Sequence, residues 1–146
     1  MTFPPHEALA EAYRDAWRFA VEAHHGQRFP GTELPYAMHV ASVAAETLLG
    51  LEGEAPAVRL LALRCALLHD TLEDTPTTPA VLEARFGPEV LAGVQALTKD
   101  GTLPKAEQMA DSLRRIRMQP RAVWCVNLAD RIPNLEAHPH YWTSET

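Results

Sequence analysis

Seven prolines, Pro5, Pro35, Pro56, Pro79, Pro88, Pro104 and Pro120, each stand at the start of a stretch with helical apolar periodicity. Proline suits the first turn of a helix, because its missing N–H would have no partner there and its φ is already near the helical value. The 12 prolines in 146 residues therefore punctuate helices rather than mark disorder. Apolar residues at 47% and charged residues at 22% are close to the globular average, which excludes wholesale disorder. No segment alternates long enough to read as a strand. The expected fold is all-α, with six or seven helices in a single domain over residues 1–146.

The segments follow one another clearly. From Pro5 to His25, Leu9, Ala12, Tyr13, Ala16, Trp17, Ala20, Val21 and His24 recur at steps of three and four. A loop, GQRFPGTEL, leads to a second helix opening near Pro35 and stopping near Gly50. A third starts at Pro56 and reads AVRLLALRCALLHD. Its later half is apolar nearly all round, the pattern of a central buried helix. Thr78 before Pro79 is an N-cap signature for a short helix ending at Gly87, and another helix runs from Pro88 to about Lys99. Pro104 to Met118 forms an amphipathic helix. The last runs from Pro120 to about Arg131, and Arg131 and Pro133 are expected to end it. The run Arg114, Arg115, Arg117 and Arg121 reads as a solvated helix face rather than a phosphate site.

Charge and composition narrow the function. The net charge of −6 argues against a dedicated nucleic-acid binder or a polybasic membrane anchor. No apolar run approaches the roughly 20 residues that cross a bilayer, and the N-terminus lacks a basic start and an apolar core of a leader. Cys65 and Cys125 fall inside apolar helical patterns and read as reduced thiols, which places the expected protein in the cytoplasm.

Chemistry concentrates in LLHDTLEDT, residues 67–75, where His69, Asp70, Glu73 and Asp74 follow the most apolar helix of the chain. The i,i+4 spacing of His69 with Glu73 and of Asp70 with Asp74 directs all four to neighbouring parts of one face. Three carboxylates at a helix C-terminus repel one another and oppose the helix dipole, at about 0.3–1 kcal/mol each. A divalent cation is the economical compensation; an exposed helix end with uncompensated acids is the plain alternative. His69 and Asp70 supply only two ligands. His39, one turn into the second helix, and Asp130, at the end of WCVNLAD, could supply more, but spacing alone does not assemble them.

The ordered set GQ…PYxxH, ALLHDxxED and LADRxxN, with FAVEAHHGQR, FGPEV and TLPKAE between, resembles the HD-domain hydrolases of the RelA/SpoT type over about residues 13–135. It is especially similar to the small stand-alone alarmone hydrolases that act on guanosine 3′,5′-bis(pyrophosphate), (p)ppGpp. The resemblance implies that His39, His69, Asp70 and Asp130 hold one divalent metal, manganese first, with iron, cobalt or zinc as alternatives. It implies Glu73 and Asp74 as the catalytic acid pair, accepting or relaying the proton of a water activated by the metal. That water would attack phosphorus in the 3′-pyrophosphate. It further implies Arg28 stacking on the guanine, Asn134 on the nucleoside side and Lys105 reaching phosphate.

Three departures from the family pattern stand out. Phe29 occupies a position that is usually basic, Asn127 replaces the lysine of KLADR, and the chain ends at Thr146, where relatives continue into at least one more helix. The first two motivate an alternative reading as an HD phosphohydrolase of another phosphorylated nucleotide, such as NADPH or a nucleoside phosphate. The third motivates a non-catalytic nucleotide-binding module, or a homo-oligomer covering the exposed face. His138 and His140 read as surface residues, not ligands.

Overall fold

A computed structural model describes the backbone of residues 5–136 and the side chains of residues 8–131. Every proline-opened stretch forms a helix: α1 Pro5–Ala23, α2 Ala37–Gly50, α3 Pro56–Leu68, α5 Pro79–Phe86, α6 Pro88–Leu97, α7 Lys105–Arg117 and α8 Arg121–Glu136. A single turn, α4 (Thr71–Asp74), follows α3. The described residues contain no strand, only an isolated bridge between Arg28 and Pro35. Thr78 caps α5 as expected, its hydroxyl accepting from the Val81 N–H at 3.3 Å.

The all-round apolarity of α3 is explained by its place. Ala62, Leu63, Cys65, Ala66, Leu67 and Leu68 are all fully buried, and α3 packs against α1, α2, α6 and α8. Each fully buried leucine contributes about 1.5–3 kcal/mol of transfer free energy, so the end of α3 is firmly anchored. The α3–α6 crossing is close because Gly93 has no side chain; a Cβ there would lie 2.6 Å from Cys65 Sγ and 3.1 Å from Val123 Cγ2. Burial pushes the Cys65 thiol up to about 12, so it stays protonated and serves as packing.

Four boundaries depart from the sequence expectation. Helix α2 starts at Ala37, because Pro35 and Tyr36 belong to a tight bend: Phe29 N–H donates to Leu34 C=O at 2.9 Å and Tyr36 N–H to Gln27 C=O at 2.8 Å. Gly26, at φ +85°, permits the chain to leave α1 into that bend. The third helix does not run unbroken through LLHDTLED. His69 and Asp70 form a turn between α3 and α4, with Asp70 at φ −99°, ψ 0°. Helix α6 ends at Leu97, which leaves Lys99 in a loop. Helix α8 continues past Arg131 and through Pro133 to Glu136, and the missing N–H removes only one backbone bond near its end.

The arginine run is not uniformly solvated. Arg115 reaches from α7 to the C-terminal end of α6, donating to Gln95 C=O at 2.5 Å and Thr98 C=O at 2.8 Å while its Nε bonds Asp111 at 2.9 Å. Beside it, Ser112 Oγ donates to Ala96 C=O at 3.0 Å. These donors satisfy carbonyls that a helix end leaves without partners. Arg121 pairs with Glu54, linking the start of α8 to the turn before α3.

Candidate metal centre and its cleft

Helices α2, α3 and α8 pack pairwise, and the polar residues that interrupt their apolar faces meet at one point. His39 lies in the first turn of α2, His69 and Asp70 follow the last residue of α3, and Asp130 lies within α8. His39 Nε2 is 2.9 Å from Asp130 Oδ1 and 4.0 Å from Asp70 Oδ2. His69 Nε2 is 2.9 Å from Asp70 Oδ2 and 3.3 Å from Asp130 Oδ1. The ligand atoms of His39, His69 and Asp70 all lie within 4.8 Å of one another. Spacing in the chain left this convergence open; the packing of three helices produces it.

The tautomer of His69 is fixed from behind. Its Nδ1 donates to the Ala66 carbonyl at 2.6 Å, which leaves the Nε2 lone pair directed at two carboxylates. That buried Nε2 has no aligned hydrogen-bond partner despite its short approach to Asp70. A lone pair facing carboxylate oxygens calls for positive charge between them. Two imidazole nitrogens and two carboxylates suit a divalent transition metal, and the carbonyl behind His69 is the support such ligands commonly have. The donor set therefore fits one divalent cation.

Charge on these groups is strongly coupled. Burial opposes charging His69, yet the Asp70 and Asp130 carboxylates outweigh it and hold the imidazole well above its ordinary value of 6.5. Burial likewise works against ionised Asp130, but the hydrogen bond from His39 and the nearby His69 imidazole hold it well below the carboxylate range. Asp70 is also lowered: its burial is outweighed by His69 and by the Tyr36 hydroxyl, which donates to Oδ2 at 2.5 Å. Burial and the Asp70 charge raise Tyr36 far above the ordinary phenol, so it remains a donor.

The α4 turn carries Glu73 and Asp74 beside this centre, and the carboxylate oxygens of Asp70, Glu73 and Asp74 also lie within 4.8 Å of one another. Asp70 thus belongs to both groups. Burial, then Asp74 and Asp70, raise Glu73, partly countered by Lys99. Burial and Asp70 raise Asp74, partly countered by His24 and His69. Both carboxylates are therefore more basic than ordinary ones, as proton acceptors should be.

A cleft of about 250 Å³ opens onto the centre, lined among others by His69, Asp70, Glu73, Lys99, Asn127 and Arg131. Of the residues expected to bind substrate, the two whose side chains are described, Arg28 and Lys105, do not line it. Arg28 is exposed and its Nη1 bonds Glu33 at 2.6 Å. Lys105 is exposed at the start of α7, and it is Lys99, the other lysine, that reaches the cleft. Asn134 follows Asp130 by one turn of α8, but its side chain lies outside the described residues, as do His138 and His140. Sequence reasoning missed Lys99, Tyr36 and Gln27, although GQ and PY were among the motifs noticed.

Several known proteins resemble this chain over most of its length. The chain is 38% identical over 132 residues to guanosine-3′,5′-bis(diphosphate) 3′-pyrophosphohydrolase MESH1 of Danio rerio, covering 87% of this chain and 71% of that protein. It is 34% identical over 139 residues to the guanosine-3′,5′-bis(diphosphate) 3′-pyrophosphohydrolase of Aquifex aeolicus, covering 92% of this chain but only 18% of that one. The solved structure of a metazoan SpoT ortholog described as hydrolysing ppGpp superimposes with a TM-score of 0.75 at 27% identity, over 99% of this chain and 79% of the other. The family model for the HD domain matches residues 16–145. With histidine and aspartate of three helices closing on one point, and that match spanning most of its length, the chain belongs to the HD-domain family.

Proposed function

We propose that the protein is a metal-dependent guanosine-3′,5′-bis(diphosphate) 3′-pyrophosphohydrolase that releases pyrophosphate from (p)ppGpp. The carrying observation is the convergence of His39, His69, Asp70 and Asp130 with Glu73 and Asp74 one turn away. The names of the relatives from Danio rerio and Aquifex aeolicus support the choice of substrate. His39, His69, Asp70 and Asp130 would hold one divalent cation; the resemblance to the RelA/SpoT-type hydrolases puts manganese first, and the mixed donor set equally admits iron, cobalt or zinc. When bound, such an ion supplies Lewis acidity at a phosphoryl oxygen and makes water a better nucleophile near neutral pH.

The chain's own residues do the rest. Glu73 and Asp74, with raised proton affinity, accept the proton of the attacking water as its oxygen bonds to phosphorus. The bond between that phosphorus and the ribose 3′ oxygen breaks, leaving GDP or GTP and pyrophosphate. Tyr36 holds Asp70 in orientation through its hydroxyl. Lys99 and Arg131 bring positive charge to the cleft for the phosphates. Arg28, Lys105 and Asn134 are proposed at the rim of a larger nucleotide site.

Incubating manganese-loaded protein with ppGpp should yield pyrophosphate and GDP in equal amounts; protein shown to contain metal yet giving no turnover would defeat the substrate assignment. A second reading, hydrolysis of another phosphorylated nucleotide such as NADPH, is favoured by one observation. Phe29 is buried and stacks on His39 at 5.4 Å between ring centroids, and so supplies no charge to a highly anionic tetraphosphate. A nucleotide panel assayed for released phosphate and pyrophosphate separates the two. No helix among the described residues is long and apolar enough to cross a membrane.

A further inference from the structure

The α4 turn, Thr71–Asp74, is too short to hold its own ends. A helix leaves its last carbonyls without intrahelical partners, and nucleating a single turn is unfavourable. In α4 one of those carbonyls has a partner from far away in the chain. Gln27 Nε2, 47 residues earlier, donates to the Asp74 carbonyl at 2.7 Å. The beginning of the turn is held from the same bend, by the Tyr36 hydroxyl on Asp70 Oδ2 at 2.5 Å. The bend itself is closed by the Tyr36 N–H on the Gln27 carbonyl at 2.8 Å.

This arrangement fixes the Gln27 amide. Its nitrogen must face the Asp74 carbonyl, which accepts only, so its Oε1 faces His24 Nδ1 at 2.9 Å. An oxygen opposite a ring nitrogen requires that nitrogen to carry the proton. His24 is 2% exposed, packs its ring 4.9 Å from that of Tyr36, and its Nε2 has no hydrogen-bond partner. The residue is buried and polar, and neither the metal centre nor the proposed reaction uses it.

We propose that Gln27 is a positioning residue that caps the α4 turn and so aims Glu73 and Asp74, with its amide oriented by His24 protonated at Nδ1. This rests on the reading of Glu73 and Asp74 as the proton-accepting pair. Two near-isosteric variants separate the contacts: Q27M removes both, whereas Q27E keeps an acceptor for His24 and loses the donor to Asp74. In manganese-loaded protein both should lower kcat about tenfold, the population loss expected from one lost capping bond, with KM and bound manganese within about twofold of wild type. By ¹⁵N NMR of wild-type protein, the His24 ring proton should be found on Nδ1, facing Gln27 Oε1.

A Q27E protein with wild-type kcat, or an unprotonated Nδ1 at His24, overturns the proposal. If Q27M does not fold, Q27E and the spectrum of the wild type still decide it. The E73Q/D74N double variant belongs in the same assay. If it loses turnover while Q27E does not, the positioning role falls and the acid pair stands; if it turns over normally, both fall.

Discussion

At the proposed metal centre, a proton and a cation would compete for His69. In chelator-treated protein its proton affinity is raised by Asp70 and Asp130, so the charged imidazole stabilises the fold fully below the unfolded value near 6.5, and this contribution is lost as pH rises through the higher folded value. Manganese bound as proposed would have to displace that proton. Its affinity, measured by titration calorimetry, should therefore weaken steadily as the pH is lowered below the raised value, with protons released on binding. H69A should leave no stoichiometric manganese by elemental analysis, whatever its helicity. E73Q should keep the metal and lose about 10²–10⁴-fold in kcat, the range of a general acid–base group, which pyrophosphate release at saturating ppGpp reads directly.

Between elements, the important contacts tie helix ends together. Arg115 supplies two carbonyls at the end of α6 from α7. R115A should cost about 1–2 kcal/mol in urea denaturation, because those carbonyls lose charged donors. At the α3–α6 crossing G93A places a methyl 2.6 Å from Cys65 Sγ and should destabilise by about 1–3 kcal/mol through overpacking. G93A/C65A should recover part of that, which thermal melts of the single and double variants check. Periodicity made the helices legible because apolar spacing and proline directly encode a buried face. The ligand-bearing pairs were legible as types, since His-Asp at the end of an apolar helix is chemically conspicuous. Their convergence was not, because it depends on how α2 and α8 lean on α3. Lys99 escaped notice because the apolar period of α6 runs on past its true end. Gln27 escaped because a side chain bonding a carbonyl 47 residues away leaves no local pattern.

Across the whole molecule, His39 and Asp130 stand 91 positions apart and still bond directly. An ion held there ties α2, α3 and α8 together, so it binds the folded chain and not the unfolded one. At about a hundredfold its Kd this adds about 2.7 kcal/mol to stability, and scanning calorimetry should show a higher Tm in manganese than in EDTA, with D130N abolishing the difference. The same 91-position span also serves as a safeguard. A partly folded chain cannot bring His39 and Asp130 together, so the proposed hydrolysis would begin only once the architecture is complete.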